Sequence, residues 1–460
     1  MSSPMDRSGG APGDGSARAD AGIARRPDQH TGRYLVLLAP EAADQALAAL
    51  HSGAGVARPE RLRAAAPEDA ADLVDRAGTV LFEELGVALV SADPDQEPAL
   101  RSTVREQPAV LAAEPERVVY AAGTPGFRAG GRFPGPGTVT ADYLRGYHDG
   151  VEELVQHALE RVGLTEERAA AAETIAWDES ELTWGLQACR VDESVHTGKG
   201  VKVAVLDTGA DIGHADLDGR FGGAVSFVPG QEVTDGHGHG THCVGTACGT
   251  RAPSMAPRYG VAPGAWIYAG KVLGDDGSGT DGQILAGLNW AVGQGCRVVS
   301  LSLGAPVRRG QSYSRVFEQA ARRALRAGTV VVAAAGNESA RPDRVEPVGH
   351  PANCPSVMAV GALDRELRVA SFSCAGLTAD GGQVDLAAPG TDVLSAWPGN
   401  RYRRLQGTSM ATPHVAGVLA LLAEENPEAS AAELQALLLS RARRLALPAV
   451  DVGAGLVQAP

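Results

Sequence analysis

From residue 33 onward the hydrophobic positions change period repeatedly. RYLVLLA (33–39), GVALVSA (86–92) and AVLAAEPERVVYAA (109–122) read as strands. EAADQALAALHSGA (41–54) and DQEPALRSTVREQ (95–107) have helical spacing. Together they predict a small α+β unit of β-α-β-α-β order over 33–122, ferredoxin-like in class. The Gly/Pro-rich GTPGFRAGGRFPGPGTVT (123–140) interrupts the pattern and reads as a linker, and 141–163 resumes helical periodicity, so 123–181 is read as linker plus helix. From 182 to 460 the pattern changes again. VKVAVLD (201–207), WIYAGKVL (266–273), RVVSLSLG (297–304), TVVVAAAGN (329–337) and SVMAVGA (356–362) are almost continuously apolar, as parallel strands buried on both faces are. DGQILAGLNWAVGQG (281–295) and YSRVFEQAARRALRAG (313–328) between them are amphipathic helices. The expected architecture is an α/β doubly wound, mostly parallel sheet flanked by helices, whose site lies at the carboxyl ends of its strands.

Composition narrows the function classes. The 460 residues are 44% hydrophobic but only 4% aromatic, which implies a core of Ala, Val and Leu. Acidic residues outnumber basic ones, 55 to 41, and no dense Lys/Arg block occurs, so nucleic acid is not an expected partner. Residues 1–32 are polar and rich in Gly, Ala and Asp, and are expected to be a disordered arm. They lack the apolar run of a secretory signal, and no stretch is long enough to span a membrane. The expected location is therefore the cytoplasm, or outside by a non-classical route. Six cysteines form no CxxC pair, so no zinc cluster is expected. A hairpin of SVMAVGA and RVASFS turning at LDRE brings Cys354 opposite Cys374, which leaves a cross-strand disulfide and two free thiols as equal alternatives.

Three segments carry chemistry. DTGAD puts Asp207 at the end of a buried strand, where a carboxylate needs a hydrogen-bonding or cationic partner; Asp211 is its competitor. DGHGHGTHCVGTACG puts His239 before a small-residue helix, with His237 and His242 as rivals. QGTSMATPHVAG offers the hydroxyl of Ser409, read either as a helix cap or as a nucleophile. A hydroxyl nucleophile needs a base, and the base an orienting acceptor. Asp, His, Ser is one of the chain orders in which that triad occurs.

With SLSLG, AAAGN, GVAPGA and HPANCPSVMAVGA in addition, the chain from about Trp184 to Leu439 resembles the subtilisin-like serine endopeptidases, the subtilases. The resemblance implies Asp207, His239 and Ser409 as a triad and Asn337 as the side-chain donor of the oxyanion hole. It implies peptide or protein substrates clamped in extended form by Gly277, Ser278 and Gly279 on one side and Ser302, Leu303 and Gly304 on the other. Gly304, Ala334, Ala335, Gly336 and Gly349 would line a roomy apolar specificity pocket with Glu338 at its rim, favouring large apolar residues. No cofactor is required. Structural calcium, common in the family, is poorly supported: the loop GTRAPSMAPRYG (249–260) has no carboxylate or Asn, and only Asp216 stands where the family has an Asp ligand. The 33–122 unit resembles the family's propeptide, an intramolecular inhibitor, with its tail aligned for a cut after Ala122 and Val119 in the apolar subsite three residues upstream. Rival readings are a dedicated processing protease or transpeptidase and an inactive, subtilase-shaped binding module.

Overall fold

The computed structural model describes residues 30–63, 70–122, 175–378 and 380–460. Most of the expected N-terminal arm and the linker with its helix at 141–163 lie outside these.

The N-terminal unit runs β1 (His30–Leu38), α1 (Ala43–Ala54), β2 (Glu60–Leu62), α2 (Ala70–Arg76), β3 (Thr79–Phe82), β4 (Val87–Ser91), α3 (Glu97–Glu106) and β5 (Val110–Ala121). Its sheet order is β5-β1-β4-β3-β2. Without β2 and α2 this is the ferredoxin-like arrangement. The sequence reading misses β2, α2 and β3, which are short and lack a sustained period. One face of the sheet packs on α1 and α3 through Val36, Leu38, Leu47, Leu50 and Leu100. The other packs on the large domain, sharing a core with its residues through Leu35, Leu37, Phe82 and Leu89.

The large domain contains α4 (Trp184–Ala188), β6 (Lys202–Asp207), β7 (Phe221–Ser226), α5 (His239–Cys248), β8 (Trp266–Lys271), β9 (Ser278–Thr280), α6 (Asp281–Gly293), β10 (Val298–Leu301), β11 (Leu303–Gly304), α7 (Arg315–Arg326), β12 (Val330–Ala334), β13 (Met358–Leu363), β14 (Leu386–Pro389), β15 (Val393–Trp397), β16 (Arg401–Leu405), α8 (Thr408–Glu425), α9 (Ala431–Arg441) and α10 (Ala449–Val452). Its seven-stranded sheet has the order β14-β13-β12-β10-β6-β8-β7, and every pairing is parallel. The chain reverses its direction of growth between β6 and β10, the switch point at which a doubly wound sheet opens a crevice. α8 is buried from Thr408 to Ala423, which the small residues at its contacts permit. Ile175 and Trp177, upstream of the expected start at residue 182, pack on the core of this domain, and Trp177 Nε1 donates to the Arg365 carbonyl at 2.7 Å.

The two units are joined by main chain and by caps. β5 inserts between β9 and β11, pairing antiparallel with both. Glu114 accepts from Ser314 Oγ and the Arg315 N–H at the start of α7, and Glu116 accepts from the Gly282 N–H at the start of α6. Asn289 of α6 donates to the Leu62 carbonyl and accepts from the Glu84 N–H, while Arg323 of α7 donates to the Leu38 and Leu85 carbonyls. Among the described residues no helix is long and apolar enough to cross a membrane.

Candidate active site

Asp207, His239 and Ser409 come from β6, α5 and α8, and all three are buried. His239 Nδ1 lies 2.7 Å from Asp207 Oδ1, which also accepts the Thr208 N–H at 2.7 Å. Burial alone would push the imidazole down, but the Asp207 carboxylate and the Cys243 sulfur raise it well above the usual histidine value. His239 Nε2 has no hydrogen-bond partner among the described residues. Ser409 is not the helix cap. Gly407 holds that position, and Asn337 Oδ1 takes the Thr408 N–H at 2.8 Å and the Thr408 hydroxyl at 2.9 Å. Ser409 Oγ instead donates to the Ser302 carbonyl at 3.1 Å. With the Asn337 oxygen held by Thr408, its Nδ2 group is the end left for a ligand.

The rivals have other work. Asp211 accepts the Gly213 and Gly399 N–H groups. The His237 ring stands 6.1 Å from that of His239, edge to face. His242 Nε2 faces the Val393 and Arg403 carbonyls, and burial pushes the ring down to about 3; His414 Nδ1 faces the Met410 carbonyl, and its ring is pushed down to about 4. All six cysteines are free and buried, so Cys354 and Cys374 are thiols: Cys354 faces the Ser314 carbonyl, and Cys374 donates to Glu338. The expected turn at LDRE does form, but only a single bridge, Leu363 to Val369, follows it. That is too short to set the two sulfurs opposite each other. Asp207, His239 and Cys243 have donor atoms within 4.8 Å. The carboxylate and Nδ1 already face each other, and burial pushes the thiol up, so the trio is not assigned to a metal.

Sequence reasoning missed Asp235. Its Oδ1 accepts from Thr208 Oγ1 and the His237 and Gly238 N–H groups, and its Oδ2 from the N–H and hydroxyl of Thr241. Thr208 Oγ1 in turn accepts the Gly240 N–H. One buried carboxylate thus ties the end of β6 to the start of α5. Gly240 allows this approach, since a Cβ there would meet the Gly209 carbonyl at 2.1 Å.

The cleft is occupied by the chain's own tail. Val118, Val119 and Tyr120 pair with Thr280, Gly279 and Ser278; Tyr120 and Ala121 pair with Gly304 and Leu303. The Ala121 N–H reaches the Gly277 carbonyl at 2.9 Å, and the Ala122 N–H reaches the Ser302 carbonyl at 3.2 Å. Every expected clamp residue therefore meets the tail, and Val119 is fully buried. Beside Ala122 lies a cavity of about 30 Å³ lined in part by Gly304, Ala334, Gly336, Glu338, Gly349 and His350. Ala335 is not among the lining residues; it turns into the core, and its carbonyl accepts the Gly349 N–H. The pocket is less roomy than expected because Glu338 is folded over Gly336 towards Cys374.

The sequence model of the subtilase family matches residues 198–456. The chain belongs to the subtilase family. It is 44% identical over 282 residues to Subtilisin BL of Lederbergia lenta, covering 60% of this chain and 97% of that protein. It is 42% identical over 282 residues to alkaline elastase YaB of a Bacillus species, 60% of this chain and 69% of that one. Subtilisin E of Bacillus subtilis is 41% identical over 252 residues, 54% of this chain and 62% of that one. This subtilase is a serine endopeptidase made as a zymogen. Subtilases generally work without a cofactor and often bind structural calcium. The residues around Asp216, where the family has an Asp ligand, do not fit that ion. Asp216 is buried, its Oδ2 already accepts from the Tyr259 and Tyr402 hydroxyls at 2.6 and 2.9 Å, and the loop 249–260 offers no carboxylate or Asn to complete a cage of the kind calcium takes.

Proposed function

We propose that Ser409 is the nucleophile, His239 the base that takes its proton and returns it to the leaving amine, and Asp207 the group that orients the imidazole and stabilises its charged form. The Asn337 Nδ2 group and the Ser409 backbone N–H stabilise the oxyanion. The observation that carries this reading is that one oxygen, the Ser302 carbonyl, accepts both the Ser409 hydroxyl and the Ala122 N–H. The hydroxyl is thereby held beside the residue whose carbonyl it would attack. Its rotation from Ser302 towards the unpartnered His239 Nε2 would complete the proton path.

The tail then stands as the first substrate, cut after Ala122 and retained as an inhibitor. Recognition by main-chain pairing tolerates many sequences. The small, apolar walls of the specificity pocket admit Ala as the structure stands and large apolar residues once Glu338 swings out. N-terminal sequencing of wild type beside Ser409→Ala tests the scheme. Wild type is expected as two pieces, one ending within a few residues of Ala122, and Ser409→Ala as one intact chain. Identical nicking in both would overturn it.

A further inference from the structure

Counting back from Ala122 as the residue before the cut, Val119 is fourth and Arg117 sixth. The antiparallel ladder ends at Val118 opposite Thr280, and the next enzyme residue is Asp281. Its carboxylate is fully buried. Oδ2 accepts the Arg117 N–H at 3.1 Å and lies 3.6 Å from Arg117 Nη1. Oδ1 faces His350 Nε2 at 3.0 Å, and the His350 ring stands edge-on to Phe317 at 4.5 Å. The acid is therefore held from behind by the enzyme and contacted in front by the tail. Arg117 Nη1 is buried and has no other polar partner among the described residues, so Asp281 supplies the charge it lies against. The remaining neighbour, Glu114, stands 3.7 Å from Arg117 Nη2, but it belongs to the tail, and its oxygens are taken by Ser314 and Arg315.

We propose that Asp281, positioned by His350, forms a subsite for a basic side chain six residues upstream of the cut and makes Arg or Lys there a specificity element of this peptidase. The inference rests on the reading that the chain is cut after Ala122. Any residue at that position can donate its backbone N–H to Oδ2, so the site does not exclude neutral side chains. Only a long cation adds the second, charged contact. A carboxylate would bring like charge against a buried acid, in a protein whose net charge is already −14.

The test uses the processed enzyme from the full chain and three acetylated peptides, X-Val-Val-Tyr-Ala-Ala-p-nitroanilide, with X as Arg, citrulline or Glu. Citrulline keeps the shape of Arg without its charge. We expect kcat/KM for Arg to exceed that for citrulline by about five- to twentyfold, the size of a partly buried ion pair, and Glu to be poorest. In Asp281→Asn the Arg-to-citrulline ratio should fall to within about twofold. Equal rates for Arg and citrulline in the wild type, or a ratio that survives Asp281→Asn, would overturn the subsite. The wild-type comparison stands whether or not the variant folds. Anilide release reports cleavage after Ala itself, so absence of release from all three peptides would instead sink the underlying reading of the cut.

Discussion

Replacing Asp235 by Asn removes one charge and turns one acceptor into a donor. The carboxylate accepts from three backbone N–H groups, His237, Gly238 and Thr241, and from two hydroxyls, Thr208 and Thr241. If the new NH2 group replaces Oδ1, two N–H groups lose their acceptor. If it replaces Oδ2, only the Thr241 N–H does, and the Thr241 hydroxyl must also turn round to accept. The second orientation is cheaper. It leaves one buried N–H facing another, at roughly 1–3 kcal/mol, and weakens the surviving bonds, which were charge-assisted, by about 1 kcal/mol more. The total is about 2–4 kcal/mol, or roughly 4–16 °C in Tm for a domain of this size. Melting should be measured in a Ser409→Ala background so that self-digestion does not intervene. In the active background the start of α5, and with it His239, should be held less firmly. The kcat should then fall by about tenfold with KM nearly unchanged. A Tm within one or two degrees of the parent would refute the donor count, and a rise in KM with unchanged kcat would refute the positioning role.

Asn337→Ala should lower kcat by about 10²–10³ with little change in KM, the magnitude being that measured in subtilisin itself; a KM effect alone would show that Asn337 binds rather than stabilises. His242 and His414 are held neutral, with folded values of about 3 and 4, so the unfolded chain takes up protons first as pH falls below the ordinary histidine value. Their contribution is complete above that value and is lost on acidification. By pH 4.5 the pair should cost about 5 kcal/mol, and His414→Gln should reduce the slope of unfolding free energy against pH by about one proton, measured by denaturant titration of Ser409→Ala. Glu338→Ala should raise kcat/KM for Phe before the cut more than for Ala, because it empties the pocket; a parallel change for both would show that Glu338 does not limit the space.

The parallel strands were legible because both of their faces are buried, which leaves near-unbroken apolar runs such as 201–207 and 329–337. The site segments were legible because each packs its chemistry into a few adjacent residues. What escaped depends on distant partners. β9 and β11 are three and two residues long and are strands only because β5 lies between them. Asp216 looked like a calcium ligand because Tyr259 and Tyr402, which occupy it, stand 43 and 186 residues away. Asp235 was hidden by the histidines beside it: its five donors show only after the loop has folded round it. The inward fold of Glu338 is a rotamer choice, which no pattern along the chain encodes.

The insertion of β5 between β9 and β11 has a consequence for the enzyme after the tail has gone. Two short strand edges are then left bare, facing each other across a slot one chain wide. They read backbone rather than sequence, so any loosened segment of a second molecule fits as well as a foreign peptide does. The processed enzyme becomes a hazard to its own kind. Its loss on storage should follow second-order kinetics, speeding up with concentration and slowing when an extended peptide fills the slot.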